Sequence, residues 1–213
     1  SGTASAEGLR RAGELGMVSR WAARASGQAP YRVVLTLPRG YPEVLVTSPL
    51  TGMALDLPAP LGKPAEPALP LRVQISLAPE SRAAGAPLHD QLRVDLGNLL
   101  AAQYLRDVSG SEPRVLRGVV AMGTGLPELA PGVRGVADLG AVSADAWLAL
   151  LPEGGVPGAS GDANSPAAPG STGTSAAAPA STAAWGGYLP QTLELRAQAL
   201  TLASRRLTRL TLG

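Results

Sequence analysis

Leu71 to Asp107 reads LRVQISLAPESRAAGAPLHDQLRVDLGNLLAAQYLRD, and its period decides the fold. Leu71, Val73, Ile75 and Leu77 alternate with Arg72, Gln74 and Ser76. That spacing of two puts the aliphatic residues on one side of a strand and the polar ones on the other. QLRVDL repeats the pattern, and Gly97-Asn98 has the composition of a two-residue hairpin turn into LLAAQYLRD.

The same rhythm extends in both directions. In YRVVLTLP, Val33, Leu35 and Leu37 share one side; EVLVTS (Glu43–Ser48) follows the Arg39-Gly40 turn. MALDL places Met53, Leu55 and Leu57 opposite Ala54 and Asp56. Ser109-Gly110 turns into PRVLRGVVAMG. One-sided strands joined by turns predict a mainly β protein: a long antiparallel meander forming a curved, groove-like sheet with one apolar face. One or two short helices complete the expectation. One spans about 5–25, capped by Ser5, carrying Glu7 in its first turn and stopped by Gly27; the other spans about 143–151, capped by Ser143.

Composition changes sharply after the second helix. From Glu153 to Ala184 the chain is almost wholly Gly, Ala, Ser, Thr and Pro, which predicts a disordered linker between a segment 1–152 and returning strands in 185–213. In the latter, Leu193 and Leu195 oppose Glu194 and Arg196. A parity slip near Ala199–Leu200 predicts a bulge, and Ser204–Arg206 a turn.

Bulk properties restrict the function. In 213 residues the net charge is +2 and charged residues are 16%, too weak a field to collect nucleic acid. Aromatics are 3% with no phenylalanine, so stacking platforms for bases are missing and any apolar wall is Leu, Val and Ala. No apolar run reaches the roughly 18–20 residues of a membrane span. The chain begins at Ser1, and reads as a piece of something longer.

Candidate chemistry is thin. Gly62-Lys63 resembles the end of a phosphate-binding loop, but Leu57 stands where that loop needs its first glycine and Pro64 where it needs a hydroxyl. Gly123-Thr124-Gly125 lacks the third glycine and the strand–helix–strand setting of a dinucleotide site. His89 is the sole histidine and reads as a solvated loop residue; with no cysteine, neither a metal site nor a catalytic triad has enough parts. Asp56, Asp95, Asp138 and Asp145 sit on separate elements. No catalytic residue, metal or cofactor is assigned.

TSPLTGMALDLPAPLGKPAEPALPLRV resembles a segment of the large AsmA-like proteins of the YhdP family. The resemblance rests on Ser48, Leu50 and Gly52, then Leu57, Pro58, Pro60, Leu61, Gly62 and Lys63. GVVAMGTGLPELAPGVRGVADLGAVSADAWLALLP and LPQTLELRAQALTLASRRLTRLTLG are similar to later passages of the family in the same order. Pro49 and the long stretch 153–184 depart from the pattern.

The resemblance implies a periplasmic segment of an inner-membrane-anchored, bridge-like lipid transfer protein of Gram-negative bacteria. Its apolar groove would shield phospholipid acyl chains between the two membranes. The implied partners are acyl chains and neighbouring β segments of the parent protein, with membrane contact made outside this chain and no nucleic acid. The candidate groove residues are Val33, Leu35, Leu37, Met53, Leu55, Leu57, Leu71, Val73, Ile75, Leu193 and Leu195, with Lys63 a candidate at the rim or in a solvated turn. The same alternation also lines the core of an ordinary one-sided sheet, so a non-conducting envelope-assembly module with a closed β core stands as the alternative.

Overall fold

A computed structural model describes residues 1–11, 22–83, 85–149, 187–202 and 205–212. Its elements are β1 (Gly2–Ser5), α1 (Ala6–Arg11), β2 (Ala25–Thr36), β3 (Glu43–Ser48), β4 (Met53–Leu55) and β5 (Leu71–Leu77). They continue with β6 (His89–Leu96), β7 (Leu100–Asp107), β8 (Arg114–Met122), β9 (Gly132–Ser143), α2 (Ala144–Leu148), β10 (Thr192–Leu202) and β11 (Arg205–Leu212). One open sheet runs β1-β2-β3-β5-β6-β7-β8-β9-β10-β11, with β4 attached to β2.

The period-two segments all become strands, and from β2 to β8 they pair antiparallel in chain order around the β4 excursion. From β8 to β10 the antiparallel expectation fails, and it holds again for β10 with β11. β9 is parallel to β8, and β10 is parallel to β9. A parallel neighbour requires the chain to travel back along the strand before pairing. Thr124, Gly125 and Pro127, on the β8–β9 connection, line a shallow pocket with Arg134, Val136, Asp138, Glu194 and Arg196. Apart from Ala137, the strand residues lining it share one parity, so this connection lies on the polar side.

Sequence reading assigned no strand to 132–143. Its alternation is interrupted by Gly135 and Gly140, which carry no apolar signal of their own.

Several local expectations are corrected. The Gly97-Asn98 hairpin forms, but its loop is three residues, since Leu96 pairs with Leu100. The register of β10 with both neighbours is unbroken through Ala199 and Leu200, so no bulge lies there. The bulge falls instead between Leu105 and Arg106 against β8. Arg205 and Arg206 belong to β11 rather than to a turn.

At the N-terminus, Ser5 Oγ accepts from Gly8 N at 3.1 Å, the expected cap. The described helix ends at Arg11, however, and β2 begins at Ala25, so Gly27 is a strand residue and not a helix stop. Residues 12–21 of the expected 5–25 helix, and the stretch 153–184, lie outside the described residues. Gly27 has φ +85° with the Gly52 carbonyl pressed against it; a Cβ there would sit 2.2 Å from that oxygen. This close approach lets Gly52 O accept from Gln28 N at 3.1 Å and pins β4 to β2. A small core of Ala6, Ala25, Ala29 and Met53, with Leu9, Leu50 and Leu55 packed on it, fills the corner.

α2 is capped as expected, with Ser143 Oγ accepting from Ala146 N. Trp147 Nε1 of this helix donates to Ala59 O at 3.1 Å. β2 and β9 stand six strand spacings apart, roughly 29 Å in a flat sheet. The excursion between β4 and β5 and the helix after β9 nevertheless meet at one end of the sheet.

Candidate functional site

Paired residues of neighbouring strands point to the same side, so the register can be followed as rows across the sheet. One row runs Val33, Val46, Val73 and Val94, then Ala102, Val120, Gly135 and Leu193. The next runs Leu35, Val44, Ile75 and Leu92, then Tyr104, Gly118 and Val133. The row on the other side runs from Ser48 through Leu71, Leu96 and Leu100 to Met122, Ala137 and Leu195. Three adjacent rows across seven strands or more carry no charge.

The opposite face is built differently. Arg32, Thr47, Arg72 and Asp95 form one of its rows, and Gln74, Arg93 and Gln103 belong to another. Arg93 chelates the Asp95 carboxylate through Nε and Nη2, which raises the guanidinium above its ordinary value. Within the polar face, Val119 and Ala121 are buried.

The apolar face has two halves. On β2 the side chains of Val33 and Leu35 are exposed, and those of β3, β5 and most of β6 are only half-buried. Neither described helix is laid along this half: α1 packs on β1 and β2 beside Ala25 and Ala29, and α2 on β10. Over β7 to β9 the face is covered. Tyr188, arriving just ahead of β10, packs with Ala102, Tyr104 and Val133, flanked by Val115 and Val120. Leu92 and Val94 of β6 pack against the same cluster. The Tyr188 ring meets Tyr104 edge-on at 5.1 Å, and Tyr104 Oη donates to Tyr188 O at 3.1 Å. The Tyr104 ring in turn lies over Gly118, where a Cβ would approach it to 2.5 Å.

A charged pair interrupts the apolar face beside this cover. Asp90 pairs with Arg106 across β6 and β7, in the parity of Leu92 and Tyr104. Arg106 Nε and Nη2 donate to the two Asp90 oxygens at 2.8 and 2.5 Å, and Nη1 donates to Tyr188 Oη at 3.2 Å. Burial works against the Arg106 charge, but the bonds to Asp90 and Tyr188 outweigh it and leave the guanidinium above its ordinary value. Burial, with Tyr188 alongside, pushes the Tyr104 hydroxyl up to about 12. Sequence reading missed this pair. The signal was present: Asp90 and Arg106 both fall at apolar-parity positions, Asp90 in an otherwise clean alternation.

The predicted groove residues divide accordingly. Val33, Leu35, Leu71, Val73, Ile75, Leu193 and Leu195 lie on the three apolar rows. Leu37 follows β2 and is exposed. Met53, Leu55 and Leu57 are not on these rows: β4 pairs with the N-terminal end of β2, Met53 is buried in the Ala6–Ala29 corner with Leu55 packed on it, and Leu57 lies in the loop after β4. Val44, Val46, Leu92, Val94 and Leu96 were not singled out and lie on the rows.

Lys63 is neither at an open rim nor in a solvated turn. It is 7% exposed, and its Nζ donates to four carbonyls: Leu50 and Pro64 at 2.9 Å, Met53 at 2.8 Å and Ala65 at 3.2 Å. Burial draws its ammonium below its ordinary value, partly offset by Glu66. Gly62 is required beside it, because a Cβ there would fall 2.3 Å from the Leu57 carbonyl. The Gly-Lys pair is therefore a staple: glycine lets the loop close, and lysine ties the turn before β4 to the turn after it. His89 likewise opens β6 instead of standing in a loop, half-buried, its Nδ1 4.0 Å from Glu80.

Among the described residues, no group of three or more His, Cys, Asp or Glu side chains is placed to hold a metal ion. No described helix is long and apolar enough to cross a membrane.

These features define a class: an open, mostly antiparallel sheet with three contiguous uncharged rows on one side. The sequence matches the YhdP protein family over residues 1–213, and the chain belongs to that family. No curated protein and no solved structure matches it.

Proposed function

We propose that this chain is a periplasmic segment of a bridge-like lipid transfer protein, shielding phospholipid acyl chains on its apolar face between inner and outer membranes. The carrying observation is the set of uncharged rows that no described residue covers from β2 to β5. Exposing an acyl chain to water costs about 0.8 kcal/mol per CH₂, so a conduit needs such rows without a charge along them. Membership of the YhdP family fits an envelope protein concerned with lipid transport. In this reading the chain acts without catalysis, and the parent protein reaches the inner membrane through parts outside these residues.

A photoreactive residue at Leu35 or Ile75 of the full-length protein in cells tests the proposal. Phospholipid adducts at both, and none from Arg72 on the opposite face, are the expected result. Adducts at neither position, with adducts elsewhere in the same protein, would overturn it.

The second reading is a structural module with a closed core. Tyr188 over β7 to β9 favours it, because there the apolar face is filled by the chain's own residues. It predicts no adducts at any of these positions.

A further inference from the structure

Edge strands of soluble sheets are normally covered, charged or cut short, because free backbone N–H and C=O groups on an apolar strand invite pairing. β2 breaks that rule over its last five residues. β4 pairs with Ala25 to Gly27, and β1 pairs with Gln28 to Tyr31. From Arg32 to Thr36, β3 occupies one side and no described strand occupies the other. Along the same stretch Val33 is 45% exposed, Val34 38% and Leu35 61%. One face of this edge is therefore apolar and open at Val33 and Leu35, and on the other Val34 lies exposed between Arg32 and Thr36.

Its length limits what could cover it from outside. A stable association buries on the order of 1,000 Å² or more, and a five-residue edge falls well short of that. An added strand needs covalent attachment nearby, which raises its effective concentration to the millimolar range. The register of β1 supplies the attachment point. β1 runs antiparallel to β2 with Gly2 opposite Tyr31, so its line, followed back through Ser1, passes along Arg32 to Thr36.

We propose that, in a longer chain, polypeptide preceding Ser1 completes this edge as a backward extension of β1. The register assigns the positions. Ser1 falls opposite Arg32, the residue before it opposite Val33, and the residue two further back opposite Leu35. Those two side chains continue the two central apolar rows by one strand, while the residue between them faces Val34 on the other side. The upstream stretch therefore carries apolar residues at the first and third positions before Ser1. The inference concerns sheet pairing and stands or falls independently of lipid binding.

The test is amide hydrogen exchange on the 213-residue chain carrying Val-Thr-Val-Thr-Val before Ser1, against the same chain carrying Gly-Ser-Gly-Ser-Gly. Exchange of the outward-pointing amides between Arg32 and Thr36 slows at least tenfold with the first extension, while amides of Gln28 to Tyr31 keep their rates. Equal rates in the two extended chains would overturn the inference. So would protection that is already present without an extension and grows with protein concentration, because a second copy would then be the occupant. The native upstream sequence provides a second reading: a charged residue at the first or third position before Ser1 contradicts the assignment.

Discussion

Arg106 holds both oxygens of Asp90 on a sheet face whose neighbouring rows carry no charge, and Tyr188 closes over the pair. Two opposite charges taken out of water together gain little net stability, but removing either one strands the other. Arg106→Met or Asp90→Leu alone therefore destabilises the chain by about 3 kcal/mol. The double variant recovers most of that loss. Urea unfolding of the three proteins measures the difference, and equal loss in single and double variants would contradict the coupling.

Lys63→Met removes all three donors from a site lined by four backbone carbonyls. Buried acceptors left without partners cost about 1–3 kcal/mol each, so a loss of at least about 2 kcal/mol is expected. Glu66→Gln, which leaves the carbonyl bonds in place, changes stability by less than about 0.5 kcal/mol. Thermal denaturation of both variants separates the staple from simple charge pairing.

Alkaline pH reports on Tyr104. Its folded-state value of about 12 lies above the ordinary 10, so between these values the folded chain holds a proton that the unfolded chain has released. Stability is unaffected below pH 10 by this group and falls as pH rises through the window, by up to about 1.4 kcal/mol per unit. Tyr104→Phe flattens that part of the pH–stability curve; an unchanged slope would assign the effect elsewhere.

Gly118→Ala sets a methyl group against the Tyr104 ring at 2.5 Å, on rigid strand backbone. Overpacking of this kind costs about 1–3 kcal/mol. In a Tyr104→Ala background, which removes the ring, the same glycine substitution costs much less. Double-mutant unfolding energies check the coupling.

For lipid capture, the structure separates residues that sequence alone had grouped. Photoreactive side chains at Leu35, Val46 and Ile75 are expected to yield adducts, and one at Leu55 is not, because Leu55 packs on the α1 corner. Comparable adduct yields at Leu55 and Ile75 would show that the face is drawn wrongly.

Strand identity from β2 to β8 was legible because Val, Ile and Leu alternate there with Arg, Gln and Ser. Strand direction beyond Met122 was not, since nothing in PELAPGVRG states that the chain doubles back to run parallel. Met53 and Leu55 illustrate a further limit: alternation tells which residues of one strand share a side, but not which larger surface that side joins. Lys63 illustrates another. A lone lysine beside glycine looks like any surface turn until four carbonyls are found converging on its ammonium. The Asp90–Arg106 pair was readable in principle, as two parity violations on strands that turn out to be neighbours.

The parallel arrangement of β8, β9 and β10 sets an order of assembly. From β2 to β8 nearly every pairing joins strands close in sequence, whereas Thr192 must find Arg134 across 58 positions. Distant pairings form slowly, because closing the intervening loop costs entropy before any contact repays it. The meander is thus expected to form first, with the β10–β11 hairpin docking afterwards and bringing Tyr188 to its seat. Until that moment Asp90 and Arg106 remain hydrated, so sealing them from water is the last act of folding in this part of the sheet.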